Sequence, residues 1–293
     1  MQFLNLKTYL TLRNLGVLLL VAPVFITIML LLTDDSDEFS KMGTTSYANK
    51  SKQQSCSTGR LQGEKGATYG EQTLEGIKYN VRTPLNYDKT IAHPLIVVYA
   101  PAKANRAKSE KLTNLTYQAT SAGFIIAYAD HPDLSTSSTV ELGTIPKLIA
   151  KKWCIDEQRV YLTGHSDGGT VSMALAFMSG TKHIPTAIAP SAAGITYGDL
   201  SSHRCPEPIS VMVMHSKNDR LFPGYGSETS GWWAACNECS PIPKKLDNGC
   251  ISYRECKNNV ETWYCEGEQL HSKWPQLNKV MLEFFATSER IRE

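Results

Sequence analysis

The sequence has no long block of like charge after residue 60, and 30 basic against 28 acidic residues leave a formal net charge of +2. That near-balance removes the electrostatic basis for binding nucleic acid, which rests on neutralising a run of phosphates. There is no His-Glu-x-x-His and no clustered set of ligand residues, which argues against metal-assisted hydrolysis, so no metal or other cofactor is expected. There is no internal repeat, which excludes a solenoid or propeller. Residues 220–270 lack a long amphipathic apolar helix, which argues against a lid that opens onto a lipid surface.

Charge is also missing from Gly16 to Thr33, which read GVLLLVAPVFITIMLLLT. Lys7 and Arg13 precede this run, and Asp34, Asp35, Asp37 and Glu38 follow it. Positive charge before an apolar run of about 18 residues, and negative charge after it, leaves the N-terminus inside and exports the rest. Residues 1–33 therefore read as a signal anchor or as a signal peptide. The anchor is favoured because no small-x-small pattern ends the run. In the first case the chain is a single-pass membrane-tethered protein. In the second it is secreted or periplasmic. Residues 34–55 are polar and read as a flexible linker. Residues 56–293 read as one folded domain.

Eight cysteines, an even number, suit an exported chain held by disulfides. They are Cys56, Cys154, Cys205, Cys236, Cys239, Cys250, Cys256 and Cys265. Spacing alone does not choose among the roughly 105 pairings. A zinc site on Cys236-x-x-Cys239 is the alternative, but no His-x-x-x-His follows it.

From Cys56 onward, short apolar runs alternate with helical patterns. Ile77 to Thr83 alternates apolar and polar residues, as an antiparallel strand does. Pro94 to Ala100 (PLIVVYA), Phe124 to Ala129 (FIIAYA), Arg159 to Thr163, Thr186 to Ala189 and Ile209 to His215 read as strands, the longest of them buried on both faces. Helices are expected from Ser109 to Ala122, Val140 to Lys152, Gly169 to Ser179 and Pro275 to Thr287. This alternation predicts an α/β fold with a doubly wound, mostly parallel sheet.

Gly164-His165-Ser166-Asp167-Gly168 is a Gly-x-Ser-x-Gly motif between the strand RVYLT and a helix, the setting of a nucleophile elbow. The turn strains the serine and leaves room only for glycine at positions 164 and 168. A serine hydroxyl needs a base, and elbow folds order the triad as serine, acid, histidine. His93 and His131 precede Ser166. His165 lies beside it, where its ring does not reach the hydroxyl from the right side. His215 closes a buried strand and reads as structural. His271, in a loop before the last helix, is the expected base. Asp219, four residues past the strand ISVMVMH, is the expected acid, with Asp199 as its rival.

YLTGHSDGG, HSKNDRLFP and QLHSKWP together resemble the secreted polyhydroxybutyrate-depolymerase and feruloyl-esterase group of α/β hydrolases. In that group a serine elbow, an Asp-x-x-x-Pro segment and a His-x-Trp-Pro-like segment carry the triad. The likeness spans about residues 75–285, although His271-Ser272-Lys273-Trp274-Pro275 has one residue more than the usual spacing. It implies an α/β-hydrolase fold and a triad of Ser166, Asp219 and His271. The group commonly has His-Gly after the first buried strand. Here Ala100-Pro101-Ala102 stands there, and Pro101 has no N–H. The oxyanion donors carried over are therefore the backbone N–H groups of Ala102 and Asp167. Phe222, Trp232, Trp233 and Trp274, in the segments after the acid and the base, can form an aromatic wall for substrate. The expected function is that of an exported serine esterase acting on short hydroxyacyl or aromatic acyl esters, as small molecules or oligomers. A peptidase or amidase on the same triad is one alternative. A membrane-tethered binding module with a decayed site is another.

Overall fold

The computed structural model describes residues 41–46, 55–56 and 61–288. In chain order the elements are β1 (Ala67–Gln72), β2 (Lys78–Arg82), β3 (His93–Tyr99), α1 (Arg106–Thr113), α2 (Thr116–Ser121) and β4 (Ile125–Ala129). Then come α3 (Thr136–Leu142), α4 (Ile145–Ala150), β5 (Ile155–His165), α5 (Asp167–Phe177), β6 (Ala187–Ser191), α6 (Tyr197–Ser201) and β7 (Ser210–Ser216). The chain continues through α7 (Tyr225–Cys236), β8 (Lys244–Lys245), β9 (Ile251–Tyr253), β10 (Thr262–Gly267) and α8 (Asn278–Thr287).

Among the described residues ten strands form one sheet in the order β1-β2-β4-β3-β5-β6-β7-β10-β9-β8. The six central strands, from β4 to β10, run parallel, and the pairs at both edges are antiparallel. Strand β3 explains why a parallel centre reads as an unbroken apolar run. Leu95, Val97 and Tyr99 enter one buried cluster with α4, α5 and α7. Ile96 and Val98, pointing the other way, enter a second cluster with Leu115, Ala119 and the α8 residues Met281, Phe284 and Phe285. Both faces are covered, so neither set can be polar. Each fully buried Leu, Ile, Val or Phe contributes about 1.5–3 kcal/mol, which makes these two layers the main support of the fold.

Two of the expected helices are each broken in two, for local reasons. The helix expected from Ser109 to Ala122 stops at Asn114, which adopts the left-handed conformation (φ 47°) and returns its amide to the Glu110 carbonyl. Asparagine tolerates that conformation better than most residues. The helix expected from Val140 to Lys152 begins earlier, where Ser135 caps α3, and breaks at Gly143. Pro146 then occupies the first turn of α4, where its missing N–H costs little.

The folded unit begins at Met42, not at residue 56. Residues 42–46 were expected in the flexible linker, but Met42 is buried and the backbone around it is paired. The Gly43 amide donates to Thr120 Oγ1 (2.7 Å), and the Gly43 carbonyl accepts from Leu85. Thr45 exchanges two hydrogen bonds with the Asn86 side chain. Among the described residues no helix is long and apolar enough to cross a membrane, and the expected membrane segment at 1–33 lies outside them.

All eight cysteines pair, as Cys56–Cys154, Cys205–Cys236, Cys239–Cys256 and Cys250–Cys265. The last three stitch the segment from 205 to 265 to itself, around α7 and the β8–β10 edge. The first closes the longest loop, with a sequence separation of 98. Chain-entropy arguments make a loop of that length the most valuable to close. Replacing both Cys56 and Cys154 by serine is therefore expected to lower the unfolding free energy by about 4 kcal/mol. The urea midpoint measures it, and an unchanged midpoint would mean that the bridge constrains nothing in the unfolded chain.

Candidate active site

Strand β5 lies in the middle of the parallel sheet, so its end delivers Ser166 to the centre of the carboxyl edge. Ser166 adopts φ 55° and ψ −119°, a conformation that costs a side-chain-bearing residue on the order of 1–3 kcal/mol. The turn is enforced by close backbone packing. A Cβ on Gly168 would come within 2.0 Å of the Tyr99 carbonyl oxygen, and one on Gly164 within 2.5 Å of Gly168. The glycines thus let α5 start directly against the end of β3. The Ser166 amide is tied to the Ser191 carbonyl at 2.9 Å.

His271 lies in the loop between β10 and α8. Its Nε2 is 3.0 Å from Ser166 Oγ, and its Nδ1 is 2.7 Å from Asp219 Oδ2. A carboxylate only accepts, so Nδ1 carries the proton and Nε2 accepts from the serine hydroxyl. Asp219 is buried, in the loop after β7. Its Oδ1 accepts from the amides of Leu221 and Phe222, both at 2.9 Å. Burial by itself would raise the Asp219 carboxyl. The hydrogen bonds from His271, Phe222 and Leu221 outweigh it and hold the group below its ordinary value. Asp199 is not part of this cluster. It lies in the first turn of α6, where it and Thr196 form a reciprocal cap.

Two other histidines press on the relay. His215 at the end of β7 donates from Nε2 to the Phe222 carbonyl (2.8 Å) and stands 3.6 Å from Asp219 Oδ2. Burial lowers its pKa, which favours a neutral ring. His165 is buried against the His271 loop, and its pKa is lowered to about 4, chiefly by burial and against the pull of its bond to the His271 carbonyl.

The amides expected to face an oxyanion are available. A turn bond from the Ala104 amide to the Pro101 carbonyl (3.0 Å) leaves the Ala102 amide unused. The turn places Lys103 at φ 58°. The Asp167 amide opens α5. Among the described residues neither amide has a protein acceptor. The Asp167 carboxylate turns away to His131 Nε2, at 2.9 Å. That contact removes a negative side chain from the vicinity of its own amide, and the sequence reading missed it.

The aromatic wall differs from expectation. Trp232 and Trp233 are on α7 and buried in the core, Trp232 edge-on to Phe177 and Trp233 fully enclosed, so neither reaches a substrate. Trp274 is also buried. Its ring N–H donates to Asn278 Oδ1 (2.7 Å) and its ring meets His165 edge-on, which makes it a support of the His271 loop. Phe222 alone of the four meets the relay, with its ring perpendicular to His271 at 4.9 Å. It stacks on Tyr225 at 5.3 Å, and Leu221 beside it is 60% exposed. Tyr225 stands three residues beyond Phe222 across a Pro-Gly turn. That spacing is the only trace the pair leaves in the sequence.

Among the described residues no group of three or more His, Cys, Asp or Glu side chains is arranged to hold a metal.

No family model matches the chain. It is similar to feruloyl esterase B of Piromyces equi, 24% identical over 221 residues, a match covering 64% of this chain and 41% of that protein. The chain thus spans well under half the length of that curated relative. Among solved structures it is similar to an acetyl xylan esterase from Aspergillus awamori, with a TM-score of 0.59 and 13% identity over 75% of this chain and 98% of the other. A truncated carbohydrate esterase from gut microbiota is similar too, with a TM-score of 0.56 and 12% identity over 78% of this chain and 98% of the other. At these identities the structures speak to the fold, which is that of the α/β hydrolases.

Proposed function

Taking the chain as an esterase-like α/β hydrolase, we propose that it is an exported serine esterase that cleaves carboxylic esters through an acyl-enzyme. The observation that carries this reading is the continuous relay from Ser166 through His271 to Asp219, at 3.0 and 2.7 Å, on a strained elbow. In the first step Ser166 Oγ attacks the ester carbonyl carbon while its proton passes to His271 Nε2. The carbonyl electrons move to oxygen, and the resulting oxyanion lies against the amides of Ala102 and Asp167. Each such donor is worth about 3–4 kcal/mol in the transition state. Collapse of this intermediate breaks the C–O bond, and His271 returns the proton to the departing alcohol. Water then repeats the sequence on the acyl-serine, giving the acid and free Ser166. Asp219 holds the imidazole in the working tautomer and stabilises its charged form.

Short hydroxyacyl or aromatic acyl esters, small or oligomeric, are the proposed substrates. The relative's name, feruloyl esterase B, supports this class. So does the Phe222–Tyr225 stack beside His271, on which a flat group can lie. Four disulfides support export, because such bridges persist outside the reducing cytoplasm. The N-terminal apolar run supplies the proposed tether to the membrane. A decayed binding module fits less well, because the relay is intact.

The substrate class is tested with a ladder of p-nitrophenyl esters, extended by methyl ferulate and hydroxybutyrate oligomers. Short and aromatic acyl groups are expected to have the highest kcat/KM. An aromatic contact contributes about 0.5–1.5 kcal/mol beyond area burial, so the preference is expected to be roughly tenfold. A kcat/KM that climbs steadily to the longest acyl chain would replace this reading with a lipase.

A further inference from the structure

We propose that His165 is a positioning residue that clamps the main chain of the base loop, so that His271 stays aligned between Ser166 and Asp219. The inference rests on the hydrolase reading above.

His165 is the last residue of β5, and it is 4% exposed. Both ring nitrogens are engaged. Nε2 is 2.5 Å from the carbonyl oxygen of His271, and Nδ1 is 3.0 Å from Ser191 Oγ. A carbonyl can only accept, so Nε2 carries the hydrogen, and Nδ1 accepts from the serine hydroxyl. One side chain therefore joins three pieces of the site. The first is the strand that ends in the nucleophile. The second is the end of β6, where Ser191 also holds the Ser166 amide at 2.9 Å. The third is the backbone of the base itself.

The base loop needs such a hold. It runs from the end of β10 to the start of α8, a stretch without strand or helix. Apart from the bonds of the His271 side chain to Asp219 and Ser166, its other ties fall on either side of His271. Asn218 Nδ2 donates to the Glu268 carbonyl, Lys273 bonds back to Leu270, and Trp274 binds Asn278. Among the described residues His165 alone grips the carbonyl of residue 271, with its ring 5.4 Å from the His271 ring and edge-on to Trp274. Catalytic groups must be held within about 0.5 Å of the productive geometry. A misplacement of about 1 Å commonly costs on the order of 100-fold in rate. Burial keeps His165 neutral, so it places no second positive charge beside the imidazolium that forms on His271.

Three substitutions separate a positioning role from mere packing. H165Q puts an amide N–H near the place of Nε2 and keeps a donor for the His271 carbonyl. H165N is too short to reach it. H165F keeps the ring's packing and removes both hydrogen bonds. H165N and H165F are expected to lose about 100-fold in kcat with KM within about twofold, and H165Q to stay within about tenfold of the parent. The low-field proton resonance of the His271–Asp219 hydrogen bond gives a readout that needs no turnover. It is expected sharp in the parent and in H165Q, and broadened or lost in H165N and H165F. If H165N does not fold, H165F decides. Parent-like kcat and resonance in H165F, or equal losses in H165Q and H165F, overturn the proposal. A parent protein that hydrolyses no ester and takes no fluorophosphonate on Ser166 defeats the hydrolase reading instead, and the resonance still tests the clamp.

Discussion

Ser166→Ala is expected to hydrolyse p-nitrophenyl acetate on the order of 10⁴–10⁶ times more slowly than the parent, with the fold unchanged. Alanine removes the one atom that bonds to the acyl carbon. What is left are the oxyanion amides and the binding surface, which give only a residual rate. Stability is expected to survive for reasons visible around the elbow. The Ser166 amide keeps its bond to the Ser191 carbonyl, and the Ser166 carbonyl still accepts from Thr170. Alanine also carries a Cβ, so the strain at φ 55° is neither relieved nor increased. The one side-chain bond lost is that to His271, which stays held by Asp219. Reaction with a fluorophosphonate, followed by peptide mapping, provides the second readout, with label on Ser166 in the parent and none in the variant. A variant that keeps more than a tenth of the parent rate would move the nucleophile elsewhere.

The elbow was legible in the sequence because backbone geometry wrote it there. Glycines at 164 and 168 are demanded by contacts as close as 2.0 Å, and the buried strand before them is demanded by cover on both faces. Asp219 is expected from its place after the strand ISVMVMH and His271 from its place in the loop before the last helix, and the structure brings both side chains to Ser166. Strand β10, which leads into the His271 loop, was not read. Its residues TWYCEG carry one of the disulfide cysteines and form neither a long apolar run nor a clean alternation. Helix α7 was missed too. Its glycines and serines weaken any helical signal, and tertiary packing overrides them. The tryptophans misled for a simpler reason. Size and nearness to the acid say nothing about direction. Neighbouring helical positions point about 100° apart. Trp232 and Trp233 are both buried, so α7 must be covered over a wide arc, and only the fold can supply that fact. His165 was set aside as unable to serve as the base. Its main-chain partner is 106 residues away and leaves no trace in the local pattern.

Asp219→Asn is expected to cost about 10⁴ in kcat, nearly as much as losing the nucleophile, although the two side chains have almost the same shape. The size of the loss follows from how the carboxylate is held. Oδ1 accepts from two backbone amides, those of Leu221 and Phe222, each at 2.9 Å. An asparagine must keep its oxygen there, since an NH₂ facing two N–H donors would leave all of them unpaired in a buried site. Its nitrogen is then forced into the place of Oδ2, 2.7 Å from His271 Nδ1. An NH₂ cannot accept a hydrogen, so Nδ1 must give up its proton and become the acceptor. The imidazole proton moves to Nε2, which faces Ser166 Oγ at 3.0 Å. A protonated Nε2 cannot take the serine proton, and the base is lost with every heavy atom in place. His215 offers no escape, because its Nε2 hydrogen is committed to the Phe222 carbonyl. The variant is expected to fold, to keep KM within a few-fold, and to lose its reactivity towards fluorophosphonate in step with kcat. The low-field proton of the His271–Asp219 bond is expected to vanish from the spectrum. A loss of less than tenfold in kcat, with that proton absent, would show that Ser166 finds its base without help from Asp219, and the relay would then have to be reassigned.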